Sequence, residues 1–274
     1  MIKSMIRKIA VITAMLLPLS SMAQQLTLAD WNIRSFEKSN GAGQTLVDDI
    51  QEYVDFLKDM DADVITLNEF ETGTSRMGKE KMAELASRLG MYFAYFIKSY
   101  PKDGIGYYGN VILSRYPMLN SASALISYQN YKGEGNYDQN SSEYSEIWGA
   151  DQRSVGYADI LVPVSDSESR VIRICCTHLD HQVGTAGRKR QFEEVVKFAS
   201  LGNPPYPALL AGDMNTWVTD SAMEPVLSIS DHLYDNWVDH IFSFPKGTWT
   251  KISEEVILSG ALSDHNAIKV VVKL

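Results

Sequence analysis

The apolar residues of this chain fall into short blocks with two different periods. Leu26 to Ile33 (LTLADWNI) reads as an opening strand that delivers Asn32 at its C-terminal end. From Thr45 to Met60, Leu46, Val47, Ile50, Val54 and Leu57 recur at helical spacing, with Thr45 placed as a cap. Val64 to Phe70 (VITLNEF) is almost wholly apolar until Asn68 and Glu69, so a carboxylate stands where a buried strand runs out. Lys79 to Leu89 is amphipathic and is stopped by Gly90. Tyr92 to Ile97 and Asn110 to Leu113 predict two more strands, and Ser154 to Val164 and Arg170 to Thr177 a further two. Ala186 to Leu201 predicts a helix on Phe192, Val195, Val196 and Ala199. Ala208 to Asp213, Trp237 to Phe244 and Ala267 to Leu274 complete the strands.

Two stretches break this rhythm. Ser127 to Gly149 mixes tyrosines and a tryptophan with Gly, Asn, Ser and Glu and shows little period of either kind. So long a loop is uncommon in a compact domain unless it binds something, and it reads as a substrate-facing lid or as a plain solvated connection. At the N-terminus, Lys3, Arg7 and Lys8 precede the apolar run Ile9 to Leu19, and Ser21, Met22 and Ala23 offer a cleavage site. Residues 1–23 therefore read as a signal peptide, the run being short for a membrane anchor, and residues 24–274 as one α/β domain without repeats or an internal linker.

Composition narrows the picture. Across 274 residues, 45% hydrophobic and 22% charged content suffices for one sizeable core and excludes a disordered chain. Removing residues 1–23 takes away three positive charges and no negative ones, moving the net charge from -9 to -12. An acidic exported protein is a poor non-specific binder of phosphate backbones. The one compact basic cluster, Arg188 to Arg190, reads as a solvated helix face. Cys175 and Cys176 are adjacent in an apolar run and point to opposite faces of a strand, so they read as buried thiols.

The candidate chemistry lies at the strand ends: Asn32, Glu69, His178 with Asp180, Asp213 with Asn215, Asp239, and Asp264 with His265. Taken alone, GDMN at Gly212 to Asn215 is equally a capped turn. Six polar positions ending or interrupting apolar runs call for a shared polar cavity, because an unpaired buried charge is costly. Carboxylate and amide oxygens without thiolates suit a hard cation, Mg²⁺ first and Mn²⁺ or Ca²⁺ next. His178 and His181 are three apart and would face opposite sides of a strand, leaving His178 and Asp180 to share a face. No G-x-S-x-G elbow, phosphate loop or zincin helix is present, so water is the expected nucleophile.

Seven segments, in order, resemble the endonuclease/exonuclease/phosphatase superfamily: Trp31 to Ile33, Asn68 to Phe70, Tyr108 to Arg115, Thr177 to His181, Gly212 to Asn215, Val238 to Phe242 and Ser263 to Ile268. The resemblance implies a DNase I-like, four-layer α-β-β-α sandwich, two mixed β-sheets packed face to face with helices outside. It implies Glu69 as principal metal ligand with Asn32 beside it, and Asp264 as a further metal or water contact. By the same similarity His178 binds the phosphoryl oxygens, Asn215 holds the phosphate, Asp213 prepares the attacking water, and His265, held by Asp239, stabilises the transition state. Arg153 matches an arginine near the phosphate, and Asp180 is taken as a substrate contact. Arg34 stands where nucleases of this superfamily often carry a second acidic residue. The expectation is an exported, monomeric, metal-dependent phosphoesterase acting on a small, sugar, inositol or lipid phosphate ester. A nuclease of the same superfamily, and a non-catalytic binding protein with the same fold, are the alternatives.

Overall fold

The computed structural model describes residues 25–39, 44–46, 49–126, 151–165 and 167–274. The signal-peptide reading and the Ser127 to Gly149 loop both lie outside the described residues. The chain opens with β1 (Leu26–Asn32), followed by the antiparallel pair β2 (Glu37–Ser39) and β3 (Gln44–Leu46). α1 (Gln51–Asp59), β4 (Val64–Thr72) and α2 (Lys81–Leu89) lead to β5 (Phe93–Lys102) and β6 (Gly106–Ser114). Next come β7 (Met118–Ile126), β8 (Arg153–Pro163), β9 (Ser169–His178), α3 (Thr185–Phe198) and β10 (Ala208–Asp213). The short α4 (Glu224–Leu227), then β11 (Asp231–Asn236), β12 (Asp239–Phe244), β13 (Thr250–Ile257) and β14 (Ala267–Lys273), complete the chain.

The strands build two six-stranded mixed sheets, ordered β13-β14-β1-β4-β6-β5 and β11-β12-β10-β9-β8-β7. Three apolar clusters divide the space between four layers. Leu28, Val64 and Ile112 of the first sheet meet Ile174, Leu209 and Ile241 of the second. The outer face of the first sheet packs Trp31 and Leu67 against Tyr53 and Leu57 of α1 and Leu85 of α2. That of the second packs Leu210 and Phe242 against Phe192 and Val195 of α3 and Val226 of α4. Cys175 belongs to this outer cluster and Cys176 to the inter-sheet one, both buried and free, as strand alternation requires.

Each sheet has one parallel pair at its centre, β1 with β4 and β9 with β10. The register sets Asn32 beside Asn68, and His178 beside Asp213, so four C-terminal strand ends open at the same edge of the sandwich.

Some boundaries differ from expectation for local reasons. Thr45 lies in β3 opposite Lys38, and α1 starts only at Gln51, whose N–H is accepted by the Asp49 carboxylate at 3.0 Å. α2 ends on Gly90 at φ 68°, as the sequence predicts. α3 stops short of Leu201 because Ser200 turns to φ 58°. Trp237, at φ 61°, occupies the turn joining β11 to β12 and is not part of the strand. Arg188 is not solvated. It is buried and donates to the carbonyls of Asp180 and Val183, holding the loop after β9 while Lys189 pairs with Glu224 on the surface.

Candidate active site

Glu69 reaches the site through a bulge. β4 loses register with β6 between Leu67 and Phe70, and Glu69 adopts φ 59°, a left-handed conformation that non-glycine residues avoid. The neighbouring Asn68 turns inward and stitches the two sheets together. Its amide donates to Thr177 O and Asn110 Oδ1, both at 3.0 Å, and its Oδ1 accepts the Asp213 N–H at 2.9 Å. Gly212 lets β10 approach this closely: at φ 145°, a Cβ there would stand 1.9 Å from Thr177 O.

Asp213 sits where donors from four elements converge. Asn32 at the end of β1 donates one amide nitrogen to both Glu69 Oε1 and Asp213 Oδ2, each at 3.1 Å. His178 Nε2 is 3.3 Å and His265 Nε2 3.7 Å from the same Asp213 oxygen, while Asp213 Oδ1 accepts the Asn215 N–H at 2.9 Å. Burial raises the Asp213 pKa against the lowering effect of His265 and these hydrogen bonds, which suits a base.

The two histidines are held in opposite charge states. Arg153 Nη1 lies 3.1 Å from His178 Nδ1. A guanidinium only donates, so Nδ1 accepts, while Nε2 lies between Asp213 Oδ2 at 3.3 Å and the Asn215 amide nitrogen at 3.0 Å. Burial and then the Arg153 charge hold the His178 pKa well below its ordinary value, so the ring is neutral. His265 Nδ1 instead contacts Asp239 Oδ2 at 2.8 Å. Burial works to lower the His265 pKa, but the hydrogen bond and charge of Asp239, helped by Asp213 and Asp264, raise it to about 9. His265 is therefore an imidazolium at neutral pH. Its backbone is anchored as well, its carbonyl accepting from Trp31 Nε1 at 2.9 Å and its N–H donating to Ser263 Oγ at 3.1 Å.

Glu69, Arg153, His178, Asp213, Asn215 and His265 all line one polar cavity of about 360 Å³ at the sheet edge. Asn32 and Asp239 stand behind it as holders of Glu69, Asp213 and His265. Asp264 is half exposed and pairs with Arg34 at 3.4 Å, so the residue that departs from the nuclease pattern is itself tied to the site's rim. Asp180 does not line the cavity: its buried carboxylate accepts the Gln182 N–H at 2.7 Å beneath the loop. His181 does line it, with Nδ1 3.3 Å from Arg153 Nη2. The expectation that His178 and His181 diverge assumed a continuing strand, and β9 ends at His178.

Sequence reasoning also missed Tyr100, Lys102 and Tyr108, which line the same cavity; Tyr108 stands within a quoted motif but carries no charge to mark it. Asp30, one turn of the pleat behind Asn32, is a further buried carboxyl. Burial, then Asp239, raises its pKa well above the ordinary range, and Thr66 donates to its Oδ1.

Glu69 is the residue best suited to a cation. It is half-buried, desolvation raises its pKa, and the donor that meets its carboxylate is the Asn32 amide. A hard divalent ion would offset that burial. Asn32 turns its nitrogen to the two carboxylates, and its Oδ1 accepts the Arg34 N–H at 3.0 Å. Asp213, Asp239 and His265 also place ligand atoms within 4.8 Å of one another, but Asp239 and His265 already bond each other at 2.8 Å.

The structure resembles several solved proteins of low sequence identity. An endonuclease/exonuclease/phosphatase from Beutenbergia cavernae DSM 12333 aligns with a TM-score of 0.68 and 18% identity over 92% of this chain and 72% of that one. A mannosyl-6-phosphatase from Bacteroides thetaiotaomicron VPI-5482 aligns at 0.62 and 16% over 91% and 100%. Sphingomyelinase C from Streptomyces griseocarneus aligns at 0.56 and 13% over 90% and 99%. These likenesses establish the fold. No curated protein sequence matches the chain. The sequence profile of the Endonuclease/Exonuclease/phosphatase family matches residues 31–265, which run from the Trp31 that anchors His265 to His265 itself, and the chain belongs to that family.

Proposed function

We propose that this protein is an exported, metal-dependent phosphoesterase that cleaves a small, sugar, inositol or lipid phosphate ester by in-line attack of water. The observation that carries the reading is the placement of His178 and His265 on either side of Asp213, in a cavity that also exposes Arg153 and Glu69. Buried Arg153 is a cation whose ion-pair partner among the described residues, Asp151, is 3.8 Å away, and its Nε has no hydrogen-bond partner among them. A phosphate dianion would compensate it.

In this reading Arg153 and His178 bind the phosphoryl oxygens, and Asn215 fixes the His178 wall, its amide nitrogen lying 3.0 Å from His178 Nε2 and donating to Leu179 O at 2.8 Å. Asp213 takes a proton from the attacking water, and the His265 imidazolium faces the charge that develops on phosphorus oxygens or the leaving group. Glu69 would hold a divalent ion, Mg²⁺ by its preference for oxygen, which would supply Lewis-acid stabilisation of that charge. Asp264 pairs with Arg34 at the rim, where it would be a further contact for water or the ion.

A nucleic-acid substrate is disfavoured by the cations next to the cavity. Arg34 pairs with Asp264, and Arg76 and Lys102 share Glu71 and Glu37, so the three cations are matched by three carboxylates and offer little uncompensated charge to a phosphate backbone. No helix among the described residues is long and apolar enough to cross a membrane. The test is hydrolysis by the purified chain, with Mg²⁺ or EDTA, of plasmid DNA, a nucleotide, a sugar phosphate, an inositol phosphate and a phospholipid. Metal-dependent cleavage of a small or lipid ester with DNA intact is expected; nicked DNA with the esters untouched would replace this reading by the nuclease.

A further inference from the structure

On the outer face of the second sheet, away from the cavity, three ligating side chains converge on the β11–β12 hairpin. Asp235 stands opposite His240, and His232 opposite Phe242. His240 and Phe242 are two residues apart and share a face. His232 and Asp235 are three apart and would point to opposite faces of a regular strand. The register shift between His232 and Tyr234 inserts Leu233 as an extra residue, and both side chains then join His240.

The spacing is that of a small coordination sphere. His232 Nε2 is 3.2 Å from His240 Nδ1 and 3.4 Å from Asp235 Oδ1, and the three atoms lie within 4.8 Å of one another. Around a four-coordinate zinc ion with bonds of about 2.0–2.1 Å, neighbouring ligand atoms stand about 3.3 Å apart. The second ring nitrogen of His240 faces Thr216 O at 2.9 Å and donates to it, which leaves Nδ1 unprotonated and fixes the ring in the manner of a metal-bound histidine. His240 is buried, whereas the His232 side chain is 21% and Asp235 35% exposed, so an ion has an entry path. Burial lowers the pKa of both rings, that of His240 to about 4, so both are neutral, the form that ligates. The nearby cation is Lys251, whose Nζ is held on Leu233 O at 2.7 Å.

We propose that His232, Asp235 and His240 bind a divalent transition metal, Zn²⁺ by its suitability to two imidazoles and one carboxylate, at a site separate from Glu69. Without metal, His232 Nε2–H donates to His240 Nδ1. Binding moves that proton to His232 Nδ1 through solvent, so the ring stays neutral and no net proton is released. The bound ion would lock β11 to β12, and the next residue along, Asp239, points through the opposite face to His265.

The test uses the full mature chain, stripped with EDTA and titrated with Co²⁺, whose tetrahedral complexes absorb visible light strongly. Wild type and Glu69→Gln are both expected to bind one Co²⁺ with a tetrahedral spectrum that Zn²⁺ displaces. His232→Ala and, as the milder change, Asp235→Asn are expected to weaken that binding at least tenfold with unchanged circular dichroism. A wild-type chain without the tetrahedral band, or either variant binding as wild type does, overturns the site; loss of the band in Glu69→Gln would assign the ion to the cavity instead.

Discussion

Asp213 illustrates how one carboxylate is set by its neighbours. Asn32, His178 and His265 approach one of its oxygens from three directions, and the Asn215 N–H takes the other. The chain reveals Asp213, His178 and His265 as strand-end residues because each interrupts an apolar run. It conceals their charge states, since these depend on contacts between elements: burial and then Arg153 on the neighbouring strand favour a neutral His178, and Asp239 across the sandwich favours the charged form of His265. Asp239→Asn keeps the shape and removes the charge. Its kcat is expected to fall about 10²–10⁴-fold with KM little changed, because the positive charge on His265 is needed only as the transition state forms. Steady-state kinetics check this, and an unchanged kcat would remove His265 from the chemistry. Asp180 and His181 show the limit of reading by alternation: the rule that separated them ends where β9 ends.

The elements that place these side chains were legible wherever they are buried. β1, β4, β9, β10 and β14 read as apolar runs. β7, β11 and β13 did not, because all three are edge strands with polar residues on their solvent face, as in the TKISEEVI of β13. The bulge in β4 is also invisible in composition, yet it aims Glu69. A left-handed non-glycine residue there is strained by about 1–3 kcal/mol. Of two inactive variants, Glu69→Gly is thus expected to be more stable than Glu69→Ala by about 1 kcal/mol in urea unfolding. Equal stability would mean that the bulge relaxes freely. Gly212 bears the opposite constraint. Gly212→Ala forces a Cβ to 1.9 Å from the Thr177 carbonyl, and a loss of at least about 2 kcal/mol is expected, together with loss of activity as β9 and β10 separate. Thermal unfolding of the variant measures it.

At the level of the molecule, two sheets with one parallel pair each bring four strand ends to one edge, and the proposed function rests on that convergence. The four-layer arrangement entered the sequence reading through family resemblance; the apolar runs alone supported only a single α/β domain. The cations beside the cavity are matched by carboxylates, Arg34 by Asp264 and Arg76 with Lys102 by Glu37 and Glu71. The cavity's claim on a metal rests on Glu69, and its claim on phosphate on Arg153 and the two histidines. One comparison tests both most directly: phosphate-ester hydrolysis in Mg²⁺ and in EDTA by the wild type, Glu69→Ala and His265→Ala. Metal-stimulated turnover is expected in the wild type, none in Glu69→Ala, and a rate several orders of magnitude lower in His265→Ala. Wild-type turnover by the Glu69 or His265 variant, with folding intact, would contradict the assignment of this cavity as the active site.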